Sequence, residues 1–252
     1  MDVQQYLDRI FYAGPIEPTL DVLTKLQQAH LLNVPFENFD IQQHIKINLA
    51  KVFNKIVGNN RGGFCYELNG LFYCLLKETG FNVNMVSARV YNAKTKTYSP
   101  EYDHLALVVE IDDERYLTDV GFGEFAFTPL KIEAGNIIDD PRGVFKIEAL
   151  GDHFMVLKEH PNGDDAPEYM FTLMKRDLEE FYPRCHFHET SRDSHFTQKL
   201  ICSLPTQNGR ITLTGNVLKL THNDSVIERA LHSKRAIQQV LQDYFFSSQR
   251  KG

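Results

Sequence analysis

The chain has 252 residues, of which 42% are hydrophobic and 24% charged, and it carries a net charge of −6 at pH 7. This composition is typical of a soluble globular protein with one large unit or two to three smaller ones. The acidic balance argues against nucleic acid and anionic membranes as partners, and no apolar run is long enough to span a bilayer. No signal peptide opens the chain, so we expect a cytoplasmic protein.

Helical periodicity dominates residues 1–80. Apolar residues recur at helical spacing in three short runs and in a fourth that begins at Cys65 and ends before Gly80. Glycine is the usual residue just beyond a helix C-terminus. We therefore predict a mostly helical N-terminal part.

From Phe81 the hydrophobic period changes to two, which is typical of strands. Exposed loops are expected at residues 135–143 and 161–167, and a last helix at residues 233–246. The pattern predicts an α+β fold with a mixed or antiparallel β middle and a C-terminal part of strands plus one helix. The strands are expected at residues 83–91, 104–111, 115–120, 144–149, 153–158, 169–173, 199–204, 210–214, 217–221 and 226–230.

One cysteine stands where a reactive thiol would stand. Arg61-Gly62-Gly63-Phe64-Cys65 leads into the fourth helix, so Cys65 lies in the positive field of a helix N-terminus, which favours thiolate over thiol. The two glycines allow a tight turn and leave room for a substrate. The alternative is that Cys65 is a small buried hydrophobic residue. The four cysteines form no C-x-x-C pair, so neither a disulfide framework nor a metal site is expected.

A thiol nucleophile needs a base beside it, and an imidazole base needs an orienting acceptor. His104 opens one predicted strand, and Asp119 closes the next. A tight turn at Asp112-Asp113 joins the two strands, so we predict an antiparallel hairpin that sets His104 opposite Asp119. The alternative is a surface cross-strand pair of modest energetic value, and the hairpin by itself does not bring Cys65 near.

These blocks together resemble the arylamine N-acetyltransferase family. The similarity rests on four blocks in the family's order: Val34-Pro35-Phe36-Glu37-Asn38, Arg61-Gly62-Gly63-Phe64-Cys65, Asp103-His104-Leu105 and Thr118-Asp119-Val120-Gly121-Phe122-Gly123. It extends from near residue 1 to about residue 215. It implies an N-terminal helical bundle (residues 1–80), a central β-barrel-like domain (residues 81–185) and a C-terminal α/β lid (residues 186–252). It also implies a triad like that of cysteine proteases, with Cys65 as nucleophile, His104 as proton partner and Asp119 as orienting carboxylate.

The implied activity is N-acetylation of arylamines and arylhydrazines by acetyl-CoA, with O-acetylation of N-hydroxyarylamines as a further reaction. The mechanism would be ping-pong: the Cys65 thiolate takes the acetyl group from the thioester, and the acceptor then attacks the acetyl-cysteine. Acetyl-CoA would serve as co-substrate, without a metal. We expect a monomer or weak dimer whose partners are CoA and a small arylamine or hydrazine.

The resemblance also implies roles for residues around the triad. Phe36 and Phe122 would hold an aryl ring, Gly123 would let backbone approach the ligand, and Glu37 and Arg61 would form a buried ion pair. CoA contacts would come from Ser99, Pro100, Glu101, Phe187 and Asp193. Pro100 and Glu101 depart from the family pattern, because some relatives carry Thr or Ser followed by Gly there, and an acid near a phosphate-bearing ligand is unexpected.

Two other functions are compatible with the same residues. The order Cys–His–Asp also fits a transglutaminase-like or papain-like hydrolase, which would use another acyl donor. A catalytically silent protein that binds arylamines or CoA is the third possibility, although the intact set of three residues argues against it.

Overall fold

The computed structural model describes residues 1–41, 47–160, 163–223 and 225–247. Helical segments fill the N-terminal part: α1 (Val3–Arg9), α2 (Leu20–Asn33), α3 (Leu49–Phe53), a π-helical turn (Asn54–Gly58) and α4 (Cys65–Glu78). Side-chain oxygens of Asp2, Thr19 and Asn48 accept backbone N–H bonds at the starts of α1, α2 and α3, as N-cap residues do. Gly80 follows α4 with φ of 88°, the left-handed conformation expected after a helix.

A nine-stranded antiparallel sheet forms the middle of the described chain, in the order β6-β5-β4-β2-β10-β9-β8-β7, with β3 paired to β2. Strands β6 and β8 approach each other, so the sheet is nearly closed and resembles a barrel. Its interior is filled by apolar side chains such as Val86, Leu117 and Phe145. The strands are β2 (Asn82–Asn92), β3 (Thr97–Tyr98), β4 (His104–Ile111), β5 (Glu114–Thr118), β6 (Leu130–Lys131), β7 (Asn136–Asp140), β8 (Gly143–Leu150), β9 (His153–Glu159) and β10 (Asp165–Arg176).

A five-stranded sheet joins the two ends of the chain. Strand β1 (Phe36–Glu37) pairs with β11 (Ile201–Thr206), so the N-terminal segment is an edge of the C-terminal sheet. A 3-10 turn (Leu178–Phe181) and two short helices, α5 (Tyr182–Thr190) and α6 (His195–Gln198), lead from the large sheet to this one. The other strands are β12 (Gly209–Thr214), β13 (Val217–His222) and β14 (Ser225–Ala230), and α7 (Lys234–Tyr244) packs against the sheet.

The α+β prediction is confirmed, with two local corrections. The segment expected to be a loop at residues 135–143 contains β7, in which Ile138 packs on the barrel core while Ile137 is exposed. Such a five-residue alternation is short, and its flanking glycines favoured a loop. Of the other expected loop, residues 161 and 162 lie outside the described residues, and β10 already begins at Asp165. The division of the chain at residues 80 and 185 stays a prediction.

The hairpin register also differs from the prediction by two residues. Asp112 and Asp113 both have positive φ, 51° and 63°, and form a two-residue turn, so Ile111 pairs with Glu114 and Leu107 with Thr118. Asp119 therefore lies just beyond β5 rather than directly opposite His104. A shift of two keeps every side chain on its original face, which preserves the contact between them. No described helix has the length and hydropathy that a membrane span requires.

Candidate active site

Cys65 is the first residue of α4, and it is 4% exposed. Phe64 precedes it as N-cap, and the Glu67 carboxylate accepts the Phe64 N–H at 3.2 Å. A Cβ added to Gly121 would lie 2.8 Å from the Cys65 Cα, so only glycine lets this backbone pass so close to the thiol. The structure thus places Cys65 at a helix N-terminus, packed beneath the segment that follows Asp119.

His104 begins β4 and is buried beside both other triad candidates. Its Nε2 atom lies 2.6 Å from Oδ2 of Asp119, and its ring also interacts with the Cys65 thiol. Burial by itself lowers the pKa of His104, but Asp119 and Cys65 outweigh that effect and raise the pKa to about 10. The imidazole is therefore held as an imidazolium across the neutral range.

The Asp119 carboxylate is fully buried and accepts five hydrogen bonds. Oδ1 accepts from the Asn69 amide and from the N–H groups of Gly121 and Phe122, while Oδ2 accepts from His104 and the Tyr169 hydroxyl. Burial by itself raises the pKa of Asp119, whereas His104 and these hydrogen bonds hold it below its usual value. Asp119 is thus an ionised, immobile acceptor for His104.

Sequence reasoning missed the roles of Asn69 and Tyr169. Asn69 stands one helical turn after Cys65 on α4; its amide donates to Asp119 Oδ1 at 2.8 Å and to the Leu105 carbonyl at 2.6 Å. The i, i+4 spacing from Cys65 was a usable signal for Asn69. Tyr169 lies on β10, 50 residues after Asp119, and donates to it at 3.1 Å. No local pattern distinguishes Tyr169 from any other buried strand tyrosine.

Aromatic rings surround the triad candidates. The Phe122 ring centroid lies 5.4 Å from that of His104 and 5.1 Å from that of Tyr169. Phe36 and Phe122 line one narrow pocket together with Gly121 and Gly123, and the Phe36 ring packs 5.8 Å from that of Phe196. The three residues expected to contact the acceptor therefore share one pocket, and Phe122 also packs against the His104 ring.

The ion pair expected between Arg61 and Glu37 is present in the structure. Arg61 Nε and Nη2 lie 2.9 Å and 2.7 Å from Oε1 of Glu37, whose side chain is fully buried. The N–H of Glu37 donates to the Gly63 carbonyl at 2.9 Å. The pair thus connects β1 directly to the loop that carries Cys65.

The residues expected to contact CoA lie in two segments that meet at an ion pair. Asp103, which follows the segment of Ser99, Pro100 and Glu101, accepts from Arg184 Nε at 2.6 Å. The Arg184 guanidinium in turn lies 4.1 Å from the ring centroid of Phe187. Asp193 is further along, exposed in the turn between α5 and α6.

Two of these residues use their side chains within the protein. Ser99 Oγ accepts from the N–H of Val90 at 2.8 Å, and the Glu101 carboxylate accepts from the Ser87 hydroxyl. Glu101 therefore has a neutral hydrogen-bonding partner on β2 and keeps its negative charge. Pro100 is exposed.

Tyr66, in the first turn of α4, connects this helix to the loop before His104. Its hydroxyl donates to the backbone carbonyls of Tyr102 at 2.7 Å and Asp103 at 3.2 Å, although its ring is fully buried. This satisfies the hydroxyl, which a buried tyrosine requires.

Comparisons with known proteins agree on one family. Residues 19–248 match the family model described as N-acetyltransferase. The chain is 34% identical to the arylamine N-acetyltransferase pineal gland isozyme NAT-3 of Gallus gallus, over 97% of this chain and 93% of that protein. It is 32% identical to arylamine N-acetyltransferase 1 of Homo sapiens, over 100% and 96%.

Solved structures show the same similarity. The arylamine N-acetyltransferase of M. tuberculosis superposes with a TM-score of 0.89 at 29% identity, covering 97% of this chain and 93% of that one. The Mycobacterium marinum enzyme in complex with CoA has a TM-score of 0.87 at 29% identity, covering 97% and 92%. With a family match over most of the chain and relatives above 30% identity, this protein is an acyltransferase that belongs to the arylamine N-acetyltransferase family.

Proposed function

We propose that the protein transfers acetyl groups from acetyl-CoA to arylamines and arylhydrazines by a ping-pong mechanism, with Cys65, His104 and Asp119 as catalytic triad. The observation that carries the proposal is that Asp119 holds the His104 imidazole at 2.6 Å while the same imidazole interacts with Cys65 at the start of α4. O-acetylation of N-hydroxyarylamines would use the same acetyl-cysteine. In this proposal the helical segments before residue 80 carry the nucleophile, and the C-terminal sheet and α7 form the lid.

In the first half-reaction the Cys65 thiolate attacks the thioester carbonyl carbon. The carbonyl oxygen becomes an oxyanion, and the N–H of Cys65 is suited to bind it, because the first N–H groups of a helix have no intrahelical acceptor. The carbon–sulfur bond to CoA then breaks, and the His104 imidazolium gives its proton to the departing sulfur. CoA leaves as a thiol, the acetyl group remains on Cys65, and His104 is left neutral. The attacking and departing sulfurs are of similar basicity, so the exchange needs little driving force.

In the second half-reaction the amine nitrogen attacks the acetyl carbon of acetyl-Cys65. Arylamines are mostly unprotonated at neutral pH, so their lone pair is available. The nitrogen loses a proton to His104 as the sulfur leaves, and the imidazolium–thiolate pair is restored. Asp119 compensates the positive charge on His104 whenever the imidazole is protonated.

The surroundings are suited to both substrates. Phe36, Phe122 and Gly123 line a narrow pocket of about 10 Å³, so an aryl ring would enter when Phe36 and Phe122 move apart to stack on it. The segments of Ser99, Pro100, Glu101, Phe187 and Asp193 would receive CoA, with Arg184 as a nearby cation. Arg61 and Glu37 would support the Cys65 loop from below.

Mass spectrometry of the purified protein tests this proposal directly. Incubation with acetyl-CoA should add about 42 daltons, the mass of one acetyl group replacing a hydrogen, to the peptide that contains Cys65. Addition of an arylamine should then remove the adduct and yield the N-acetylated amine. Absence of the adduct would contradict the transferase assignment and favour a hydrolase with another acyl donor, or a silent binding protein.

Alkylation supplies a control within the same molecule. Burial and Glu189 raise the pKa of Cys185, and burial raises that of Cys74, so both thiols should react slowly. We expect iodoacetamide to modify Cys65 well below pH 8, before the other cysteines. Cys65→Ser should lose both the adduct and this reactivity while it keeps the far-UV circular dichroism spectrum.

A further inference from the structure

A network of charged side chains lies beneath the first turn of α4. Lys55, in the π-helical turn, places Nζ 2.9 Å from Glu67 Oε2, 3.2 Å from Asp40 Oδ2 and 3.7 Å from Glu37 Oε1. Arg61 pairs with Glu37 and Asp40. Lys55 is therefore the cation that connects Glu67 to the other acids.

Glu67 places a carboxylate in the same first turn of α4 as Cys65. Its Oε2 atom accepts the N–H of Phe64, the residue before Cys65, and would lie 2.8 Å from a Cβ added to Gly63. A negative charge in this turn stabilises the helix N-terminus, but it also opposes a second negative charge on Cys65. The capping function of Glu67 therefore conflicts with a thiolate unless a cation compensates it.

Lys55 is buried enough to supply that compensation. Only 14% of its side chain and 12% of that of Glu67 are exposed, so water screens the pair weakly. Burial by itself lowers the pKa of Lys55, but Glu67 and Glu37 outweigh it and raise that pKa. Lys55 therefore stays charged over the pH range in which the enzyme would work.

We propose that Lys55 is a positioning residue for the nucleophile: it pairs with Glu67 so that this carboxylate caps α4 without opposing the Cys65 thiolate. The proposal rests on the assignment of Cys65 as nucleophile. Lys55 touches neither substrate nor the thiol, and it acts through Glu67 and the Phe64 N–H.

Other titratable groups face the same region and stay unchanged in the test below. Cys65 interacts electrostatically with His104, Tyr66 and Cys185. Cys185 also interacts electrostatically with Glu67. Glu37 faces Glu67 and Lys55 from β1, Asp40 follows it, and Arg61 comes from the loop. The variants at Lys55 and Glu67 change the charge at the first turn of α4 and leave these other groups in place.

The test is the pH profile of Cys65 alkylation by iodoacetamide, followed by peptide mass spectrometry. Lys55→Met should leave Glu67 uncompensated and move the midpoint of the profile up by about half a pH unit to one unit. Glu67→Gln should leave Lys55 in excess and move the midpoint down by a similar amount. The double variant should return to the wild-type midpoint, because both charges are gone.

Matched variants separate charge from structure. Lys55→Arg keeps the charge and should keep the midpoint. Lys51→Met removes a cation that lines the same cavity of about 480 Å³, one turn earlier, and should also leave the midpoint unchanged. If Lys55→Met does not fold, Glu67→Gln carries the test alone, and an unchanged midpoint there overturns the proposal.

Midpoints that shift in the same direction in Lys55→Met and Glu67→Gln would also overturn the proposal. A merely structural role predicts that both variants slow Cys65 alkylation, without midpoint shifts of opposite sign. A wild-type Cys65 that alkylates no faster than Cys74 would instead contradict the proposed function. The two failures are therefore distinguishable in one data set.

Discussion

The Nε2 atom of His104 lies 2.6 Å from Oδ2 of Asp119 although the two residues are not opposite each other in their hairpin. Asp119 lies one residue past the end of β5, where its Oδ1 atom accepts the N–H groups of Gly121 and Phe122. The carboxylate is thus oriented by its own loop as much as by the sheet. This arrangement underlies the first two predictions.

Asp119→Asn should lower the acetylation rate by about a thousandfold or more, because the amide cannot compensate the charge on His104. The rate of acetyl-Cys65 formation in single-turnover mass spectrometry measures this effect. Tyr169→Phe is the matched control, since it removes one neutral donor to the same carboxylate and should cost about tenfold at most. Near-normal turnover of Asp119→Asn would refute the role assigned to Asp119.

His104 should make folding stability depend on pH in the alkaline range. Its pKa of about 10 in the folded protein lies above the unfolded value of about 6.5, so its stabilising contribution is complete below about pH 6.5 and is lost as pH rises through 10. The measurement is the difference in free energy of unfolding between wild type and His104→Gln. That difference should shrink steadily from neutral pH to about pH 10, and a difference that grows would contradict the imidazolium assignment.

Arg61→Met should destabilise the protein by about 3 kcal/mol, because Glu37 is fully buried and would keep Lys55, 3.7 Å away, as its cation. Urea denaturation measures the change. Lys25→Met, which removes an exposed i, i+4 pair with Asp21, is the comparison and should cost far less, because water screens that pair. Equal effects would mean that the buried pair contributes no more than a surface pair.

Gly121→Ala should lower the stability of the protein, whereas Gly123→Ala should leave it unchanged. A methyl group at 121 would lie 2.8 Å from both Cys65 Cα and the Asn69 amide nitrogen, so we expect a loss of about 1–3 kcal/mol and slower alkylation of Cys65. No atom lies within 4 Å of a Cβ at 123, so that variant should keep its stability. If Gly123 borders the acceptor, its alanine variant should raise the KM for bulky arylamines without changing acetylation of Cys65.

The local features of this site could be predicted because each is encoded by neighbouring residues. Cys65 begins α4 as the periodicity indicated, and the aspartate pair at 112 and 113 forms the tight turn between β4 and β5. Helix starts, tight turns and the alternation of apolar and polar residues in a strand each involve a few consecutive residues. The conformational propensities and steric limits of those residues therefore decide them. The predicted register was two residues off because it left no room for the turn itself.

The remaining contacts depend on segments far apart in the chain. Tyr169 and Asn69 reach Asp119 from β10 and α4, each across 50 residues, and Arg184 meets Asp103 across 81. The group that bonds with a buried donor or acceptor depends on which helices and strands pack together. No local sequence pattern encodes which group this is. From the sequence alone came the cysteine at a helix start and the hairpin that carries His104. Only the tertiary structure decided how Asp119 is held and how Lys55 pairs with Glu67, because buried charges find their partners when the core closes.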